Sequence, residues 1–290
     1  MSISLFLEQT LNGVQLGVML FLMSAGLTLV FGIMNLINLA HGSLYMLGAY
    51  FAAATANATG SFVVGVVVAL AATALAGAVL ERLLLKRFYA RTHLDQVLVT
   101  FGLILVFNEI VRLIWGPTPL NFAIPAALAY SVQVLPGVDY PAFRLAILAV
   151  GLGVAALLYL VIQHTRLGMW VRAGASDRET AAAMGVDVEL VFVLVFAAGA
   201  ALAGLAGLMA GPILAVQVGM GEPVLILALV VTVIGGIGSV KGAFVAALGV
   251  GLIDTFGRVL LSPALGAMII FIAMALVLIW RPRGLFPVHG

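Results

Sequence analysis

The chain has 290 residues, of which 64% are hydrophobic and 8% charged, with a formal net charge of +2 and no cysteine. Soluble domains carry about one quarter charged residues, so this composition excludes a soluble globular fold. The small net charge and the lack of a basic stripe with interleaved aromatics exclude a nucleic-acid surface, and the missing cysteines exclude disulfides, thiolate chemistry and cysteine-ligated metals.

Apolar runs such as residues 61–80 and 264–280 are continuous, whereas membrane barrel strands alternate apolar and polar over about ten residues. The fold class is therefore all-α: a polytopic transmembrane helical bundle of about eight to ten spans, forming a single domain over residues 1–290. Windows of apolar residues predict spans near 11–32, 39–56, 61–81, 94–115, 142–162, 190–211, 223–238, 242–261 and 264–281. Met1 to Gln9 lacks the positive region of a secretory signal, so the first span reads as retained. Gly13 with Gly17, Gly207 with Gly211 and Gly238 with Gly242 have the four-residue spacing that lets membrane helices pack closely.

Basic residues set the orientation, because cytoplasmic loops retain Lys and Arg. Arg82, Lys86, Arg87 and Arg91 fall in one connection, Arg166, Arg172 and Arg178 in another, and Arg281 and Arg283 near the C-terminus. The N-terminal arm and the connection from Gly116 to Pro141 have no Lys or Arg. The N-terminus and that connection are thus expected outside and the C-terminus in the cytoplasm. A loop this long predicts a short helix or cap over the outer mouth.

In chain order, the first unusual stretch is Phe31–Tyr50, FGIMNLINLAHGSLYMLGAY, where Asn35, Asn38 and His41 interrupt an apolar double span. Polar groups at membrane depth are costly unless paired or facing water. Two readings stand: a helix broken between Gly32 and Gly42, as in helices that line a transport path, or a turn in which the two Asn residues cap helix ends. Glu109 and Arg112 sit three apart at the end of the fourth span and predict a mutual ion pair beside Asn108. Thr100, Glu222, Thr232 and Asp254 are isolated polar positions in spans.

The segment His164–Leu190, HTRLGMWVRAGASDRETAAAMGVDVEL, predicts a short helix with Ser176 as N-cap and Glu179 completing a capping box, running to Met184 before Gly185 ends it. So short a helix is unstable alone, and it reads either as an amphipathic connector on the membrane or as an element docked in a partner's groove. Ile234–Phe244, IGGIGSVKGAF, joins two late spans; its Lys241-Gly242-Ala243-Phe244 parallels His41-Gly42-Ser43-Leu44 and hints at two structural halves. The phosphate-loop pattern fails here, since Val240 precedes Lys241 and Gly242 follows it, so this chain holds no ATP of its own. No catalytic or metal-ligand grouping is present, and His41, His93, His164 and His289 are scattered.

FGIMNLINLAHGSLYMLGAY, ASDRETAAAMG, IGGIGSVKGAF and the terminal RPRGLF together resemble the LivH-type permeases of branched-chain amino acid ABC importers, from about Leu11 to Phe286. The resemblance implies a multi-pass protein of the bacterial inner membrane, pairing with a LivM-type second permease, two cytoplasmic ATPase subunits that bind ATP and Mg, and an external substrate-binding protein. It also implies ATPase coupling through residues 164–189, with Asp177, Arg178, Glu179, Ala182 and Gly185 as the contact residues. Thr180 stands where such loops often carry Ala. Asn35, Asn38, His41, Tyr45, Thr232 and Lys241 are the candidate path or gate residues. The other expectations compatible with the sequence are import of another small polar solute, such as urea, an amide or a small carboxylate, or an ion-coupled transporter using Asp254 or Glu109.

Overall fold

A computed structural model describes residues 2–135 and 137–286. Among the described residues there are eleven α-helices: α1 (Ile3–Met34), α2 (His41–Thr59), α3 (Phe62–Leu83), α4 (His93–Trp115), α5 (Ala142–His164), α6 (Arg166–Ser176), α7 (Arg178–Ala183), α8 (Val188–Ala210), α9 (Gly221–Gly235), α10 (Val240–Leu260) and α11 (Pro263–Trp280). Each of the nine predicted segments holds one of them. Seven helices (α1, α3, α4, α5, α8, α10 and α11) are long and apolar enough to cross a membrane, and the protein is a polytopic helical bundle.

The two that fall short, α2 and α9, are the informative ones. Helix α9 has 15 residues, about 22 Å at 1.5 Å per residue, against a hydrocarbon core of about 30 Å. Helix α2 has length enough but carries His41, Ser43, Tyr45, Tyr50 and Asn57 along its 19 residues. Such a helix avoids lipid only by being enclosed, and α2 is, with α8, α3, α9 and α4 packed around it.

Close approaches between backbones hold the interior together. A Cβ on Gly17 would come within 2.8 Å of the Ala247 carbonyl oxygen, and one on Gly26 within 2.6 Å of the Gly199 carbonyl oxygen. The small-residue spacing seen in the sequence thus serves packing of α1 on α10 and α8, whose contact gains come from dispersion and helix proximity rather than from the hydrophobic effect.

The connection between α4 and α5 forms a cap of a different kind from a surface helix. Strands β1 (Ser131–Leu135) and β2 (Val138–Pro141) pair antiparallel, preceded by one 3-10 turn at Ala126–Leu128. The cap is tied down at three points. Leu120 pairs with Val216 between α8 and α9, the Asn57 side-chain amide donates to the Asn121 carbonyl at 2.8 Å, and Tyr140 and Arg144 both donate to the Asn12 side-chain oxygen.

Candidate functional site

Helix α1 ends at Asn35, which takes the left-handed conformation (φ 51°) and donates its backbone N–H to the Phe31 carbonyl at 2.9 Å. Asn tolerates this conformation better than most residues, so the capping reading holds for Asn35, whose side chain is exposed. It does not hold for Asn38, which is 1% exposed and caps nothing with its side chain.

Residues 35–40 turn back into the bundle. A Cβ on Gly26 would come within 2.9 Å of His41 Nε2, and Gly26 lies eight residues, about 12 Å, before the last residue of α1. The chain therefore leaves α1 at one end of the bundle and starts α2 well inside it. The irregular backbone is secured by α4: the Ile37 N–H donates to Gln96 Oε1 at 3.3 Å, and Thr100 Oγ1 donates to the Ile37 carbonyl at 3.4 Å. Non-helical backbone at membrane depth requires such partners. In sequence one Gln at the start of an apolar span is ordinary; only the fold brings Gln96 to Ile37.

Where α2 starts, α9 starts as well. A Cβ on Gly42 would lie 2.9 Å from the Gly221 carbonyl oxygen. From this meeting point α2 runs to the capped end, where Asn57 holds Asn121. Helix α9 runs the other way, to Gly235, beside the Leu285 and Phe286 amides that donate to the Ile234 and Gly235 carbonyls. Helices α2 and α9 thus present their N-termini, each a concentration of free N–H groups, to one interior region.

Polar side chains gather on these two helices and on the segment leading into them. Asn38, His41, Ser43, Tyr45 and Tyr50 are all buried, and none of their side-chain polar atoms has a hydrogen-bond partner. The His41 ring lies against the Met23 backbone without good bond geometry. In the first turn of α9, Glu222 Oε1 accepts from Asn108 Nδ2 at 2.7 Å while Glu222 Oε2 is unpartnered. Unsatisfied buried polar atoms are few in folded proteins and call for an explanation.

The remaining predicted residues separate from this group. Thr232 is buried on α9, where it donates to the Ala228 carbonyl at 2.8 Å and meets Thr28 Oγ1 at 3.3 Å, joining α9 to α1. Lys241 is exposed, its ammonium 5.2 Å from the centre of the Tyr159 ring on α5. The parallel between the His41 and Lys241 motifs has a physical counterpart: Gly42 abuts Gly221 at the start of α9 and Gly242 abuts Gly235 at its end. The same small-residue solution is used twice on one helix, with His41 enclosed and Lys241 outside. The four isolated polar positions all have partners: Thr100 with Ile37, Glu222 with Asn108, Thr232 with Thr28, and Asp254 with Arg258 at 2.8 Å. Glu109 and Arg112 pair as predicted, at 3.2 Å on the surface.

In the 164–190 segment the N-cap is Asp177, not Ser176, which is the last residue of an unpredicted helix, α6. Asp177 wins because one carboxylate satisfies several donors: Oδ1 accepts from the Glu179 and Thr180 amides, and Oδ2 accepts from the Thr180 hydroxyl at 2.6 Å. These bonds, led by that of the Thr180 side chain, lower the Asp177 pKa below its ordinary value. Gly185 (φ 87°) ends α7, with the Gly185 and Val186 amides donating to Ala182 and Ala181, the pairing of a Schellman motif.

Helix α7 has an inner and an outer side. Arg178 is half-buried; its guanidinium donates to the Ile33 carbonyl at 3.2 Å and lies 4.8 Å from the centre of the Phe192 ring and 5.8 Å from that of Tyr89. Ala181 is buried beneath it. Asp177, Glu179, Thr180, Ala182 and Gly185 face outward, with Met184 82% exposed. Among the described residues no group of three His, Asp or Glu side chains could hold a metal.

Residues 9–278 match the family described as branched-chain amino acid transport system, permease component. The chain is similar to the high-affinity branched-chain amino acid transport system permease protein LivH of Escherichia coli K12, 29% identical over 97% of this chain and 95% of that protein. It is 30% identical, with the same coverage, to the permease protein BraD of Pseudomonas aeruginosa. A probable LivH of Methanocaldococcus jannaschii is 26% identical over 86% of this chain and 80% of that protein. No solved structure gives a significant match.

Proposed function

We infer the function from one premise: the chain belongs to the family of permease components of branched-chain amino acid transport systems. On this reading it is one of two membrane-spanning subunits of an ATP-binding-cassette importer, a single permease domain that forms part of the path for branched-chain amino acids. Two ATPase subunits bind ATP and Mg, a LivM-type permease completes the membrane part, and a substrate-binding protein delivers the solute from outside the inner membrane. The N-terminus and the hairpin cap then face outward, and α6, α7 and the C-terminus face the cytoplasm.

The observation that carries the mechanism is the Arg178 bond to Ile33. It joins the docking helix α7 to the last turn of α1, two residues before the re-entrant segment begins. Asp177, Glu179, Ala182, Met184 and Gly185 present the contact surface for an ATPase, and Arg178 passes its displacement to α1. Segment 35–40 and the start of α2 then shift, changing access to the polar region formed by Asn38, His41 and Tyr45. Asn35 acts as the hinge residue of that segment, and Thr232 couples α9 to α1. The N-termini of α2 and α9 suit the solute's carboxylate, and the burial of this region keeps competing water out.

Reconstituted vesicles test the reading. Uptake of leucine, isoleucine and valine should require internal ATP and the separate ATPase subunits, with urea, amides and small carboxylates competing poorly. Uptake driven by an ion gradient with this chain alone would overturn it.

A further inference from the structure

Beside α7 lies a groove of about 300 Å³ between the end of α3 and the start of α8, lined by Glu81, Arg82, Lys86, Tyr89, Asp187, Glu189 and Phe192 among others. We propose that this groove is a second docking point for the ATPase subunit and that it receives one cationic side chain, Arg or Lys, which pairs with Glu81.

Three observations converge on a cation. Glu81 is 2% exposed; its Oε1 accepts from the Tyr89 hydroxyl at 2.6 Å, while Oε2 is buried without a partner. A carboxylate oxygen left unpaired at the floor of a groove is costly until a donor reaches it. The lining as a whole is short of positive charge: Glu81, Asp187 and Glu189 against Arg82 and Lys86. Lys86 is already held by Glu189 at 2.7 Å on the rim, and Asp187 caps α8 through the Leu190 amide. Of the three carboxylates, only Glu81 has a buried oxygen without a partner. The volume lies at the lower end of ligand pockets, room for a single long side chain rather than a folded element.

The occupant is assigned to the ATPase by position. Tyr89 and Phe192, which form the aromatic wall of the groove, are the two rings that Arg178 of α7 lies over. Whatever grips the outward side of α7 therefore stands at the mouth of the groove. Two separate contacts fix rotation as well as position, and a side chain held by Glu81 acts on α3 directly, where α7 touches it only through Tyr89.

This inference rests on the importer reading, and the test separates the two. The assembled permeases and ATPase subunits are placed in nanodiscs, and ATPase dissociation is followed as salt is raised. Glu81→Gln, which keeps an acceptor for Tyr89, should weaken ATPase binding by about thirtyfold or more, as for loss of one partner of a buried charge pair. Tyr89→Phe, which keeps both ring contacts and frees Glu81 Oε1, should bind within about twofold of the parent. A photo-crosslinking residue in place of Val193, which also lines the groove, should trap the ATPase subunit. Equal binding by the parent and Glu81→Gln, equal losses in Glu81→Gln and Tyr89→Phe, or crosslinks to lipid or the second permease alone would each overturn the groove proposal. Failure of the parent protein to bind any ATPase would instead overturn the importer reading.

Discussion

Replacing Arg178 tests the link on which the mechanism depends. Its guanidinium makes one hydrogen bond to a carbonyl, Ile33, and overlies two rings. A hydrogen bond to a charged group contributes about 1.5–3 kcal/mol, and a cation over an aromatic ring at an open site about 0.5–1 kcal/mol. Half-exposure keeps both near their lower limits, giving about 2 kcal/mol, or about a thirtyfold shift in the equilibrium between fastened and released α7. In Arg178→Ala, amides 178–186 should exchange hydrogen faster by about that factor, and ATP hydrolysed per leucine imported should rise while the complex still assembles. Arg178→Lys keeps the charge but loses the planar stack on Phe192 and should fall between. Unchanged exchange together with an unchanged ratio of hydrolysis to transport in Arg178→Ala would refute the strut.

Other predictions follow from the same geometry. Gln96→Leu should leave the Ile37 amide unpaired and lower stability by about 1–3 kcal/mol, read as a fall in the thermal unfolding temperature, with slower uptake. Gly42→Ala should force α2 from α9, since its Cβ would lie 2.9 Å from a carbonyl oxygen, whereas Gly102→Ala meets nothing within 4 Å and should be neutral or stabilising by up to about 1 kcal/mol; melting curves of the two variants should diverge. Asn38→Leu and His41→Leu should reduce uptake without releasing the ATPase, while Lys241→Gln, outside the enclosed polar region, should leave solute selectivity unchanged in a competition assay. The lowered pKa of Asp177 gives its cap a definite pH dependence: a carboxyl with a depressed folded-state pKa contributes fully above its ordinary value, and the contribution is lost as pH falls through the lowered one. Hydrogen exchange at Glu179 and Thr180 should therefore be protected at neutral pH and lose protection only in acid, and Asp177→Asn should remove that acid transition.

Hydropathy made the spans legible, and within them it concealed the site. Window averages found a helix at each of nine places because about twenty apolar residues in lipid have no other way to satisfy their backbone. The loop from Gly116 could be recognised as a cap from its length and lack of cations, yet not as a hairpin, because strand pairing depends on cross-strand partners such as Val132 and Tyr140. Helix α7 is legible from its Ala-rich run and terminal Gly185, but its cap lies one residue beyond Ser176, at Asp177. Ser176 and Asp177 are both good N-caps by type, and the choice between them rests on Thr180, whose hydroxyl supplies a bond to Asp177.

The deeper obstacle is that apolarity in a membrane protein reports contact with lipid, not position in the core. Helix α11, among the most apolar, has only 11% of its spanning window buried, whereas 12 residues of the polar helix α2 are buried. A polar helix of membrane length is stable only if neighbours enclose it, so the low hydropathy that disqualifies α2 as a simple span is what places it at the centre. The shortness of α9 follows from the same arrangement, because a helix that starts beside Gly42 inside the bundle has only part of the membrane left to cross. In sequence His41 and Lys241 look alike, each a lone cation-forming residue before a glycine and a span. Enclosure separates them: His41, at the start of α2, is buried against Gly26 of α1, whereas Lys241 is exposed, so replacing His41 should cost transport and replacing Lys241 should not.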